Sequence, residues 1–228
     1  MANLIELTAA DGFKFPAYEA RPPAGQAKAA VVVLQEIFGV NAHIRAVVDG
    51  FAQQGYLALA PATFHRVKPG VELGYTPADI AAGVALKSAV EALPLPGVMQ
   101  DIQATIDHAS AVGKVGAVGY CWGGLLTWRA GCLLHGLSAA VPYYGGDMTS
   151  AIEIARTPKC PMLAHFANED QSIPLEGVAA FRSAQPDVEV RMYQASHGFN
   201  CGHRAAYDAA AAALARERTL AFFSRYLA

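Results

Sequence analysis

The stretch "KVGAVGYCWGGLLTWRA", residues 114–130, begins as an apolar run of strand character, passes through Gly119-Tyr120-Cys121-Trp122-Gly123-Gly124 and continues as helix. A strand that turns through glycines directly into a helix predicts a sharp bend with its central side chain at the tip. The pattern G-x-S-x-G builds such a bend and presents its serine as a nucleophile. In this chain the serine position holds Cys121. Gly119 and Gly123 remove Cβ atoms that would crowd the bend. A helix N-terminus also carries the partial positive charge that favours thiolate over thiol. The plainer reading is a small apolar cysteine packed under a glycine-rich turn. The glycines on both sides, between a strand pattern and a helix pattern, favour the reactive one.

Outward from this bend, short apolar runs alternate with helix-length segments. "NLIELTA" and "FKFPAYEA" flank Asp11-Gly12 and predict an N-terminal hairpin. Strands are predicted over 29–35, 56–61, 114–120, 137–144, 161–167 and 188–194. Helices are predicted over 41–54, 78–92, 98–111 and 122–135, after Pro174, and over 203–226. The prolines of "LPLPG" forbid merging the second and third of these. Such alternation predicts an α/β protein with a mostly parallel central sheet and helices on both faces. No linker-like break or repeat divides the chain, so one domain over 1–228 is expected. Residues 62–80 have weak periodicity and are expected to form a loop over the site.

Composition sets the outer limits. A hydrophobic content of 54% implies a large buried core rather than disorder. A net charge of −2 offers no footprint for nucleic acid or an anionic membrane. The longest apolar candidate, "AAVVVLQEIFGV", is interrupted by Gln35 and Glu36, so no spanning helix is expected. The N-terminal residues lack a basic segment followed by an apolar one, and Cys121, Cys132, Cys160 and Cys201 form no C-x-x-C pair. A reducing cytoplasm with free thiols is the expected setting.

In an open α/β sheet, chemistry belongs at the carboxyl ends of the strands. A thiol nucleophile needs a base, and the base needs an orienting group. His197 in "YQASHGFN" follows strand 188–194, and Asp170 in "NEDQSIP" follows strand 161–167. The order nucleophile, acid, histidine along the chain is that of strand-end catalytic triads. Taken singly, Asp170 also suits a helix cap and His197-Gly198 an ordinary turn. Asp147 in "YYGGDMT" is the rival acid, set behind Asp170 because the latter follows the strand nearest the histidine loop. His43, His108, His135 and His165 fall in helices or a strand, whereas His65 and His203 flank loops. Glu36 ends the apolar strand 29–35 and reads either as a solvated carboxylate or as a cleft residue beside the Ile37 N–H. An oxyanion hole at such a site uses the N–H after the nucleophile, here Trp122, with one from the first crossover loop, here Ile37.

With "QEIFGVN", "GYCWGG", "NEDQSIP" and "SHGF" together, the chain resembles the dienelactone hydrolase (carboxymethylenebutenolidase) family across nearly its whole length. The resemblance implies an α/β-hydrolase fold and a Cys-Asp-His triad of Cys121, Asp170 and His197. It implies an oxyanion hole from the backbones of Ile37 and Trp122, and it pairs Glu36 with the resting thiol as proton acceptor. Family members that act on dienelactone hold its carboxylate with arginines, one of them four residues after the catalytic histidine. That position is Cys201 here, the nearest arginine is Arg204, and Arg66, Lys68 and Lys87 give no clear match to the other. The sequence therefore departs from the family pattern at the substrate carboxylate. Phe38, Tyr75, Tyr144 and Phe199, with Arg204, are the candidate substrate-contacting residues.

The expected reaction is hydrolysis of a lactone or activated ester through a thioester. The partner is a small molecule, and the protein a monomer or small homo-oligomer. No cofactor and no metal are expected. Three alternatives stand beside this one. The same triad could take another electrophile, such as a phosphotriester. The fold could carry a catalytically silent binding protein. His197, Cys201 and His203 in "HGFNCGH" could hold a metal, although the bend at Cys121 would then have no purpose.

Overall fold

Four inner strands explain the rest of the architecture, because every residue in them is shielded from water. In the computed structural model, which describes residues 2–23 and 25–228, the five residues of β3 (Ala30–Leu34), the five of β4 (Leu57–Pro61), the six of β5 (Val115–Tyr120) and the five of β7 (Leu163–Ala167) are all buried. Strands covered on both faces require helices on both sides. With β1 (Ala2–Thr8), β2 (Lys14–Ala20), β6 (Leu137–Tyr143) and β8 (Glu189–Tyr193) they form one eight-stranded sheet, in the order β1-β2-β4-β3-β5-β6-β7-β8. The hairpin β1–β2 joins β4 antiparallel, and the remaining neighbours run parallel.

Among the described residues seven α-helices flank the sheet: α1 (Ala42–Gln53), α2 (Pro77–Glu91), α3 (Met99–Ala109), α4 (Trp122–Leu133), α5 (Ala151–Ile154), α6 (Leu175–Ala184) and α7 (Ala209–Leu227). Strand β5 shows how two layers are separated. A Cβ on Gly116 would meet Phe223 of α7 at 2.8 Å, whereas one on Gly119 would meet the Gly123 carbonyl of α4 at 2.1 Å. Residues an odd number apart on a strand face opposite ways, so α7 and α4 cover opposite faces. Phe51 of α1 packs on Phe223 at 6.0 Å, placing α1 with α7. Phe181 of α6 meets Trp128 of α4 at 5.1 Å, and α3 also packs on α4.

Two expectations shift and one unexpected helix is present. The last helix starts at Ala209, capped by the Asp208 side chain on the Ala211 N–H at 2.8 Å, and not at residue 203. The short α5 has no strong signal in the sequence. It is held by Glu153, a buried carboxylate that takes Arg129 at 2.9 Å and Arg156 at 2.7 Å. Of residues 62–80, expected to loop over the site, 77–80 open α2 and bring Ile80 to the cavity, whereas the segment 62–76 supplies none of its lining. It braces the crossover loop from behind, through Leu73 N–H to Phe38 O at 2.8 Å and Asn41 Nδ2 to Leu73 O at 3.1 Å. Arg66 in this segment is committed to Asp101 at 2.6 Å and Asp11 at 2.7 Å, so it is a structural tie.

Candidate active site

Parallel register aligns the ends that matter. Leu34 pairs with Gly119, Tyr120 with Tyr143, Tyr143 with His165, and Ala167 with Tyr193. The residues just beyond these pairs therefore emerge along one edge of the sheet: Glu36 and Ile37, Cys121, Asp170, and His197. Cys121 has φ 56° and ψ −120°, a left-handed conformation that L-residues adopt at a cost of about 1–3 kcal/mol. Its N–H donates to Tyr143 O at 3.1 Å, and its carbonyl accepts the Gly124 N–H at 2.9 Å. A Cβ on Gly123 would lie 2.2 Å from Leu34 O and 2.4 Å from Gln35 O. The glycine after the bend thus lets α4 start directly against the crossover loop.

His197 Nδ1 lies 2.7 Å from Asp170 Oδ2, and Asp170 Oδ1 accepts the Ser172 N–H at 2.8 Å. Both carboxylate oxygens are therefore fixed. Burial opposes charge on His197, but the Asp170 carboxylate and the Cys121 sulfur outweigh it and raise the imidazole to about 10. Cys121, His197, Ile37 and Trp122 line one cavity of ≈ 300 Å³. Neither the Ile37 nor the Trp122 N–H finds an acceptor among the described residues. The Trp122 ring is clamped by Phe64, stacked at 5.0 Å, and by its Nε1–H to Glu91 at 2.8 Å.

The other candidates divide. Phe38 and Arg204 line the cavity. Tyr144 and Phe199 are wholly buried, edge-on to each other at 5.2 Å, with Tyr144 against the His197 ring at 5.1 Å. They pack behind His197 and are not among the residues that wall the cavity. Tyr75 also lies behind, edge-on to Phe38 at 4.6 Å, with its hydroxyl on Asn41 Nδ2 at 3.1 Å. Glu36 is 1% exposed, and its ionic partner is Arg204 at 3.5 Å rather than the thiol. Burial pushes its carboxyl up, against the pull of the Arg204 and His197 charges. Asp147, the rival to Asp170, is not the carboxylate paired with His197: it is exposed and pairs with Lys87 at 2.8 Å. His165 is a core residue, bonded to Tyr193 at 2.7 Å and Thr219 at 3.0 Å.

Sequence reasoning missed α2 as the outer wall. Ile80, Val84 and Lys87 line the cavity from one stripe of that helix. The signal was present as two apolar residues four apart, left 39% and 50% exposed.

A family model described as the dienelactone hydrolase family matches residues 15–227. The chain belongs to the dienelactone hydrolase family. A Synechocystis sp. protein provisionally named a carboxymethylenebutenolidase is 36% identical, covering 92% of this chain and 91% of its own. The carboxymethylenebutenolidase of Pseudomonas putida is 32% identical over 96% and 95%. The crystal structure of a provisionally named dienelactone hydrolase from Klebsiella pneumoniae superposes with a TM-score of 0.84 at 31% identity, covering 99% of both chains. The eight-stranded, mostly parallel sheet with its helices is thus an α/β-hydrolase fold. Within this family frame, Arg204 reaches the cavity although it stands three positions beyond Cys201. A Cβ on Gly198 would lie 2.3 Å from Arg204 Nη1, so the histidine turn is shaped around that guanidinium.

Proposed function

We propose that this protein hydrolyses lactones or activated carboxylic esters by covalent catalysis at Cys121. The observation that carries the reading is the 2.7 Å Asp170–His197 pair, whose imidazole shares one cavity with a cysteine held in a strained turn. An imidazole raised to about 10 is cationic at neutral pH, so His197 faces the Cys121 sulfur as a positive charge and carries the proton that the leaving group takes. Glu36, drawn to Arg204, is then an electrostatic neighbour of the imidazolium rather than the proton acceptor.

In this reading the Cys121 sulfur attacks the acyl carbon, and the oxyanion is met by the Ile37 and Trp122 N–H groups. His197 gives its proton to the departing alkoxide or enolate, and a thioester remains. Neutral His197 then takes a proton from water, the hydroxide equivalent attacks the thioester, and collapse expels the sulfur. Thiolate is itself a good leaving group, so a poor alkoxide loses the competition to depart from the tetrahedral intermediate. Enol lactones and aryl esters are therefore favoured over amides. Carboxymethylenebutenolidase, the name of the Pseudomonas putida relative, is one such activity.

A screen of lactones and aryl esters against wild type and Cys121→Ala tests the proposal. Turnover in the wild type and a loss on the order of 10³-fold or more in Cys121→Ala are expected. Equal rates in the two proteins would refute it.

A further inference from the structure

Behind the catalytic cavity three ligating side chains converge from separate segments. Glu36 leaves the end of β3, His43 stands in the first turn of α1, and Cys201 follows the histidine loop. One ligand atom from each lies within 4.8 Å of the others. The three residues are 1%, 7% and 0% exposed. Both carboxylate oxygens of Glu36 and the Nε2 of His43 lack a hydrogen-bond partner among the described residues. Buried polar atoms are ordinarily satisfied, and an orphaned set facing one point asks for an occupant. Arg204, at 3.5 Å from Oε1, leaves the second oxygen of Glu36 free to ligate. A surface cleft lined by His43, Gly202 and His203 gives a route from solvent.

We propose that Glu36, His43 and Cys201 form a binding site for one borderline-soft divalent cation of the zinc type, entered from the cleft at His203. Carboxylate, imidazole and thiolate are the ligand types such an ion takes, and three protein ligands leave a fourth position for water. Ligand atoms of a tetrahedral zinc centre stand about 3–4 Å apart, so the cluster closes by about 1 Å on its ion. Binding forms one metal–sulfur bond and releases the Cys201 thiol proton to solvent. Occupancy also places a second cation on Glu36 beside Arg204, which links the ion to the charge balance beside His197. The proposal stands apart from the hydrolytic reading, because Cys121 is not among the ligands.

The test uses full-length Cys121→Ala protein, reduced and metal-free, titrated with Zn²⁺ by calorimetry and with Co²⁺ by absorption. The expected result is one equivalent of saturable binding and a thiolate-to-cobalt charge-transfer band in the near ultraviolet. Cys201→Ala should abolish the band, and His43→Gln or Glu36→Gln should each weaken binding by about 10²-fold or more. The two near-isosteric variants, checked by circular dichroism, keep the test decisive if Cys201→Ala does not fold. Absence of saturable binding, or binding untouched by His43→Gln and Glu36→Gln, would overturn the assignment.

Discussion

With φ 56° and ψ −120°, Cys121 holds a backbone conformation that glycine adopts without steric cost, yet the chain places a thiol there. That strain is separable from chemistry by comparing two variants that both lack the sulfur. Cys121→Ala keeps the Cβ and the strain, whereas Cys121→Gly removes both. The glycine variant should be the more stable by about 1 kcal/mol, read by chemical denaturation of the two proteins side by side. The opposite order would mean that the bend is not strained. His197 supplies a second measurement at this scale. Its folded value of about 10 lies above the ordinary 6.5, so its contribution to stability is complete below pH of about 6.5 and is lost as pH rises towards 10. The thermal midpoint of the wild type should fall over that window more steeply than that of His197→Gln. Parallel curves would show that the imidazole gains nothing on folding. The positions of Cys121, Asp170 and His197 could be read from the sequence because each directly follows a strand. The partner of Glu36 could not: a three-residue shift from Cys201 to Arg204 is invisible until the turn around Gly198 is folded.

Strands and helices were legible wherever burial on both faces forced continuous apolar runs, as in β3 and β5, or wherever prolines punctuated helices, as between α2 and α3. What failed was local and polar. Helix α5 exists because buried Glu153 gathers two arginines, a tertiary cause without a periodic signature. The role of α2 is tertiary in the same way. A Cβ on Gly83 would lie 2.3 Å from Ile37 O, so this helix rests directly on the loop that carries Ile37, the proposed oxyanion donor. Gly83→Ala should push the two apart and cost activity more than stability. A fall in kcat of about 10–10²-fold is expected, with a near-native circular dichroism spectrum, since removing one such donor costs about 10²–10³. An unchanged kcat in a folded Gly83→Ala protein would separate α2 from the oxyanion loop.

Across the whole molecule, charge around the cavity is arranged in compensated pairs: Arg204 with Glu36 inside, and Lys87 with Asp147 at the rim. The second pair joins α2 to the loop after β6, elements brought together only by the fold, and both residues line the cavity. On the proposed hydrolytic reading, a cavity walled by Ile37, Phe38, Ile80, Val84 and Trp122, with Lys87 and Arg204 each paired to a carboxylate, should turn over neutral esters better than anionic ones. Asp147→Asn releases Lys87 without altering shape. Its kcat/KM for an aryl ester bearing a carboxylate should rise several-fold relative to the neutral isostere. The gain stays modest because Asp147 is 65% exposed and such pairs contribute only about 0–1 kcal/mol. The gain should shrink as salt is raised, because exposed charges are screened. It should vanish when Lys87→Ala is added, because no released cation then remains to meet the substrate. A gain that survived the second substitution would place anion selection at Arg204, and the rim pair would then be only a clasp between α2 and the β6 loop.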